Sequence, residues 1–424
     1  MKTLGIAVCF AAGAVVSRWL LHALSPAFAV DLAQPLVVAT NWGHHGALTW
    51  IVLAATIAAA FVPYVQLLRA PPPLAKTFAA AMFALIAGWF WLPLFSSDVY
   101  AYAAYGEMAR LGLDPYVHHV AVRDALIDAA DWQWRPAPVP ICVYGPAFVM
   151  LARTIVAGLH GLGIVAVLDG FRFVSCAALL LCGYAAHSIA GTRAAAFIMC
   201  NPVAIFAAIE GHNDTIMVAV VLAGVLVMRR APGIGAALVA LAATVKLPAL
   251  AASAAIAFDA ALTRRNAAAI VWGTAIAWML VLGGSWALIE GARSNLAPHG
   301  HYLPLASVQA LGIPIAAIAF AAVLFRARTA RAGIDRWCVI ALAAWIAIPS
   351  PYPWYALWLL AISAFASDRR IVAAALAIAC AAVFRYLPDA VAIPSSLESI
   401  ALGVIALAAF APLPTTSSRA SSRA

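Results

Sequence analysis

A chain of 424 residues would ordinarily fold as two or three soluble domains, but 66% of these residues are hydrophobic and only 10% are charged. Mean hydropathy is +0.99, and apolar runs of about 20 residues recur along the whole length, each able to cross about 30 Å of hydrocarbon. A soluble protein is thereby excluded, and the formal net charge of +9, carried largely by short loops between apolar runs, reports membrane orientation instead of a nucleic-acid surface.

The predicted elements are ordered by placing the N-terminus in the cytoplasm. Lys2, an apolar stretch and the "AFA" of Ala27 to Ala29 resemble a secretory signal. Arg18 and His22 interrupt that stretch, so a retained first helix at about 4–24 is expected. A second span, about 47–68, returns to Arg69 and Lys76, which suit the inside. A third, about 77–95, ends outside at Asp98. The loop of about 96–144 holds six acidic side chains and three arginines, so it lacks the basic excess of an inside loop and is placed outside. The next apolar segment, 145–163, carries Arg153, His160 and several glycines. It and the following run, about 167–188, must both start outside if Arg193 is inside, so 145–163 is expected to be re-entrant or interfacial. The arginines at 229–230, 264–265, 326–336 and 369–370 mark further inside loops. They leave Glu210 to Asp214, Ala292 to Tyr302 and Pro349 to Tyr355 outside. Lys246 and Pro248 split one long run, which reads as two short helices meeting at the lysine.

The expected fold is an all-α polytopic membrane protein of about 12–14 transmembrane helices, because lipid leaves backbone groups no partner outside helices. A large external loop in the first half carries an interfacial helix. Residues 1–412 form one transmembrane domain, and 413–424, polar and basic, form a disordered cytoplasmic tail. No soluble domain and no clear internal repeat is legible. The seven cysteines show no CxxC or Cys/His cluster and read as small core residues.

The chemistry concentrates in a few places. In "SSDVYAYAAYGEMARLGLDPY" an acid, Asp98, follows an apolar run directly. One reading is helix capping, with Ser97 as cap and the acid favouring the helix dipole. The other is a catalytic base held at the membrane–water boundary beside a lipid-borne substrate. Tyr102, Tyr105 and Tyr116 fit either an interfacial belt or sugar stacking. The cluster Glu210, His212, Asn213 and Asp214 lies where two spans meet; it reads as an ordinary polar turn, as a substrate-binding site through His212 to Asp214, or as a metal site for which the spacing is not diagnostic. Lys246 is costly in lipid, so it should face a cavity, a partner acid or an anion such as phosphate. Tyr352, Trp354 and Tyr355, at the outer end of a late span, fit either an aromatic belt or a substrate-binding surface, and Arg385, at another outer end, is a second phosphate partner or an anchor. His299 and His301 read as solvated loop residues. Charge counting puts these groups on one side of the membrane.

The order of "SSDVYAYAAYGEMARLGLDPY", "VYGPAFVML", "NPVAIFAAIEGHNDTIMVAVVL", "AATVKLPAL" and "YPWYALWLL" resembles the bacterial polyprenyl-phosphomannose-dependent alpha-mannosyltransferases of the GT-C class. The resemblance implies a GT-C-like bundle in the inner (cytoplasmic) membrane with its active site on the external, periplasmic face. It implies a polyprenyl-phosphate-linked sugar donor, a glycan, lipid or protein acceptor, and Asp98 acting as base on the acceptor. Mannose is the expected sugar. Membrane lipids are the other expected partners, and nucleic acid is not one. Many GT-C enzymes carry paired acids in the first external loop, often with a divalent cation; here Ser97 precedes Asp98, which puts Mg or Mn dependence in doubt. The competing expectation is a lipid-linked-sugar flippase or secondary transporter, which would show paired broken helices. The sequence shows one break, at Lys246.

Overall fold

The computed structural model describes residues 4–24, 42–90, 96, 98–117, 124–133, 139–263, 266–283, 333–346 and 352–383. Arg385, His299, His301 and the tail 413–424 lie outside the described residues. Every regular element among the described residues is helical.

The chain opens with α1 (Gly5–Leu24), α2 (Trp42–Arg69) and α3 (Leu74–Trp89), and α1 packs on both of the others. Three prolines, Pro71 to Pro73, separate α2 from α3; the Thr77 hydroxyl donates back to the Pro72 carbonyl at 3.1 Å and closes the first turn of α3. The loop segment holds α4 (Asp98–Arg110) and α5 (Ala125–Gln133). Next comes α6 (Pro146–Leu159), begun by a proline at its first position after the extended Gly145. It has 14 residues, or about 21 Å at 1.5 Å per residue, which is short of a bilayer's hydrocarbon thickness.

At the centre stands α7 (Ile164–Ala190), 27 residues long, the one continuous helix among the described residues that is long and apolar enough to cross a membrane. After it, α8 (Thr192–Met199) and α9 (Pro202–Ile209) form a pair bent by 53°, which passes the same test if counted as one span. The bend has a local cause. Asn201 caps α9 by accepting from Val203 N at 2.9 Å, and Pro202 occupies the first helical position, so one helix ends and another starts within two residues. The sequence expectation of a single break, at Lys246, is corrected by this second one, and "NP" is the signal that carries it.

The remaining elements are α10 (Asp214–Met228), α11 (Pro232–Leu241), a tight turn Ala242–Thr244, α12 (Ala249–Thr263), α13 (Ala267–Gly283), α14 (Gly333–Ile346), a second tight turn Pro353–Tyr355, α15 (Ala356–Ser363) and α16 (Arg369–Ala382). The expected separation of two short helices at Lys246 is seen between α11 and α12. The expected 12–14 spans are not all visible as such; most described helices are apolar pieces of 10–17 residues.

Helix α7 is the packing hub and touches α6, α8, α9 and α10. Its buried Arg172 joins three elements, donating to Asp169 at 2.9 Å, to the Trp89 carbonyl at the end of α3 at 2.7 Å and to the Ile209 carbonyl at the end of α9 at 2.6 Å. Those carbonyls lack helical partners, and a cation is well suited to cap them. The end of α9 is thus fixed just before the His212–Asp214 turn.

Candidate active site

Four pieces of chain meet here: the start of α4, the turn between α9 and α10, the break between α11 and α12, and the Pro353–Tyr355 turn with the start of α15. Asp98 is the first residue of α4, and its backbone N–H donates to Ser96 Oγ at 3.1 Å. Its carboxylate is 18% exposed and its Oδ2 lies 3.5 Å from His212 Nδ1.

The turn carrying His212 is built by Gly211, whose φ of +79° lies in the left-handed region that other residues avoid. The His212 carbonyl accepts from Ser175 Oγ at 2.8 Å and Thr215 Oγ1 at 2.9 Å, which ties the turn to α7. The imidazole is fully buried and stacks on Trp354 with centroids 3.7 Å apart. Trp354 in turn stacks on Tyr352 at 4.6 Å. Neither ring nitrogen of His212 has a formed hydrogen bond, and neither do the side-chain atoms of the buried Asn213.

Asp214 begins α10. Its two oxygens accept from Lys246 Nζ at 2.7 Å and Trp358 Nε1 at 2.6 Å. Of the options open for Lys246, the structure shows the partner acid. The ammonium also sits 5.2 Å from the Tyr355 ring, 5.6 Å from Tyr144 and 5.8 Å from Trp358, within cation–π range of each. The break that exposes Lys246 is itself held: Gly145 N donates to Val245 O at 3.3 Å, and a Cβ at Gly145 would fall 2.1 Å from the Thr244 carbonyl oxygen, so only glycine admits this approach.

The sequence-predicted residues Asp98, His212, Asn213, Asp214, Lys246, Tyr352, Trp354 and Tyr355 are therefore brought together. Tyr102 and Tyr105 are not displayed as sugar-stacking faces. Both are buried: Tyr102 packs edge-on to Tyr144 and Phe148, and the Tyr105 hydroxyl donates to the Pro140 carbonyl at 2.8 Å. Tyr116 is half-buried and donates to the Tyr144 carbonyl at 2.9 Å. The reason is tertiary: α4 is packed against α6 and α7 as well as the rest of the loop, so Tyr102 lies against Phe148 and Phe171 while Tyr105 and Tyr116 are tied to the loop backbone. Burial there pushes the Tyr116 hydroxyl above its ordinary pKa and the Cys142 thiol up to about 12. Sequence reasoning missed Tyr144, Trp358, Ser175 and Thr215 as members of the site; Trp358 is visible in "YPWYALW" and Tyr144 in "VYGPAFVML", whereas the two hydroxyl residues do not stand out.

Asp98 and His212 do not make a divalent-ion site with their neighbours. Both Asp214 oxygens are engaged by Lys246 and Trp358, and among the described residues no group of three His, Cys, Asp or Glu side chains is arranged to hold an ion. The donor set does not fit Mg or Mn, which want several free oxygens.

Residues 3–262, more than half of the chain, match the family described as "Alpha-(1->6)-mannopyranosyltransferase, N-terminal domain". The chain is similar to alpha-(1->6)-mannopyranosyltransferase A of Mycobacterium tuberculosis, 28% identical over 348 residues covering 70% of this chain and 67% of that protein. It is also similar to a second alpha-(1->6)-mannopyranosyltransferase of the same organism, 31% identical over 144 residues covering 31% of this chain and 24% of that protein. No solved structure matches. With its site geometry and this match in hand, the chain belongs to the alpha-(1->6)-mannopyranosyltransferase family, a family of glycosyltransferases.

Proposed function

We propose that the protein is a multispanning GT-C mannosyltransferase that takes mannose from a polyprenyl-phosphate donor on the external face of the cytoplasmic membrane and passes it to a hydroxyl of an envelope glycan, lipid or protein. The observation that carries this reading is that one turn, His212 to Asp214, links the Asp98 carboxylate to a buried cation. Asp98 faces His212, and two residues on, Asp214 holds Lys246. Membrane embedding is supported by outward apolar stripes. Trp272, Ile276, Met279 and Leu280 recur along one face of α13, all more than half exposed, and a soluble surface seldom carries such a patch.

The chemistry derives from the groups present. Asp98 accepts the proton of the acceptor hydroxyl as its oxygen attacks the anomeric carbon. The bond from that carbon to the phosphate oxygen breaks, its electron pair leaves with the lipid phosphate, and attack opposite the phosphate inverts the centre. An ammonium has three donors. Lys246 spends one on Asp214, so two are left for the developing phosphate charge, with electrostatic stabilisation in place of a general acid. Tyr352, half-buried, offers its outer ring face to the sugar or the first isoprene units, whereas Trp354, expected from the sequence to line the site, is buried between His212 and Tyr352 and offers no face.

The test is mannosyl transfer in membranes supplied with a polyprenyl-phosphomannose donor. Asp98→Asn should accumulate in the membrane normally and lose about 10²–10⁴-fold in rate. Transfer at the wild-type rate would remove Asp98 as base. The transporter reading gains a second broken helix from the α8–α9 bend, but membership of a glycosyltransferase family weighs against it.

A further inference from the structure

We propose that His212 is a positioning residue for Asp98: a clamped imidazole that aims Nδ1 at one carboxylate oxygen and so presents the other to the acceptor. The inference rests on the reading of Asp98 as base and deepens it.

Three independent constraints fix the ring. Its carbonyl is gripped by the hydroxyls of Ser175 and Thr215, at 2.8 and 2.9 Å. Its face lies on Trp354 at 3.7 Å with the planes 20° apart, and Tyr352 backs Trp354 nearly parallel, 4° apart. Its backbone follows a left-handed glycine that no other residue replaces without strain. The result is a fully buried polar ring with Nδ1 3.5 Å from Asp98 Oδ2 and with no formed hydrogen bond at either nitrogen. Buried imidazole nitrogens normally find partners, because an unpaired one has given up its hydrogen bond to water with nothing in exchange. A contact of 3.5 Å beside a reactive carboxylate is the kind that tightens when substrate arrives. Fixing Oδ2 leaves Oδ1 as the proton acceptor and restricts the carboxylate to one rotamer.

Two substitutions separate this role from simple packing. His212→Phe keeps an aromatic ring on Trp354 and removes the nitrogen. His212→Asn keeps a nitrogen near the Nδ1 position and removes the ring. The measurement is kcat and donor KM for mannosyl transfer from polyprenyl-phosphomannose by the full-length protein, with thermal unfolding as control and Asp98→Asn assayed alongside. Positioning gives a fall in kcat of about tenfold or more for His212→Phe with little change in donor KM, and a substantial recovery for His212→Asn. Wild-type kcat in His212→Phe with a poor His212→Asn makes the ring alone the point and overturns the inference. Should His212→Phe fail to accumulate, His212→Asn decides: kcat within about threefold of wild type supports positioning, and a larger loss overturns it. An inactive Asp98→Asn beside a fully active His212→Phe defeats only this inference, whereas an active Asp98→Asn defeats the base reading on which it stands.

Discussion

At the scale of single residues, the sequence shows chemical type and hides direction. Asp98, His212, Asp214 and Lys246 stand out because polar groups are rare in a chain with 10% charged residues, and the structure gathers all four. Tyr102 and Tyr105 stand out equally, yet they point inward, because which face of α4 meets the folded loop is decided by tertiary packing. Ser175 and Thr215 are invisible in sequence for the opposite reason: a small hydroxyl within an apolar helix reads as filler until its acceptor, the His212 carbonyl, comes into view. Gly211 makes the residue scale testable. Alanine there must adopt φ near +79° and place a Cβ 3.2 Å from Val99, the residue after Asp98. We expect Gly211→Ala to cost about 1–2 kcal/mol from the backbone term, read as a lowered melting temperature in detergent. Mannosyl transfer should fall further than stability explains, since the same shift separates His212 from Asp98. An unchanged melting curve and rate would show that the turn has room the distances deny.

At the scale of elements, helix interruptions organise the site. The break at Lys246 is legible because a lysine and a proline fall within one apolar run; the bend at Asn201 is easily overlooked because its asparagine and proline sit inside a longer apolar stretch with no charge to mark them. The α11–α12 break delivers Lys246 to Asp214 at the start of α10, and Trp358 on α15 completes the arrangement, so three elements are joined through one carboxylate. Buried pairs of this kind contribute little net stability but are expensive to break on one side. Lys246→Met should therefore cost about 3–5 kcal/mol by leaving Asp214 uncompensated. Adding Asp214→Leu to it should recover much of that loss in thermal unfolding while transfer stays abolished. If the double variant is no more stable than Lys246→Met, the pair is not what holds these elements, and the packing of Trp358 and Tyr355 must do so instead.

At the scale of the whole molecule, the orientation of α7 decides the topology of everything packed on it. Its 27 residues span about 40 Å, enough to cross a bilayer with tilt, and Phe173, Leu181 and Tyr184 present an exposed apolar side. On the topology proposed from the loop charges its start lies outside and its end inside near Arg193, and α6, at 14 residues, then begins and ends on the outer side. Cysteines introduced at Val165 and Ala190 test this directly. Both sites are exposed, so each thiol is reachable wherever it emerges. The half-buried Cys9 and Cys380 are replaced by serine beforehand, and native Cys142 does not confuse the result, because burial raises its thiol to about 12 and leaves little thiolate at neutral pH. In intact cells a membrane-impermeant maleimide should label Val165→Cys and not Ala190→Cys, with permeabilisation revealing the second. Labelling of both from outside would mean that α7 does not cross. Labelling of Ala190→Cys alone would invert the molecule. Either outcome removes the basis for placing Asp98 on the external face, because α7, α9 and α10 are packed together and the turn that faces Asp98 moves with them.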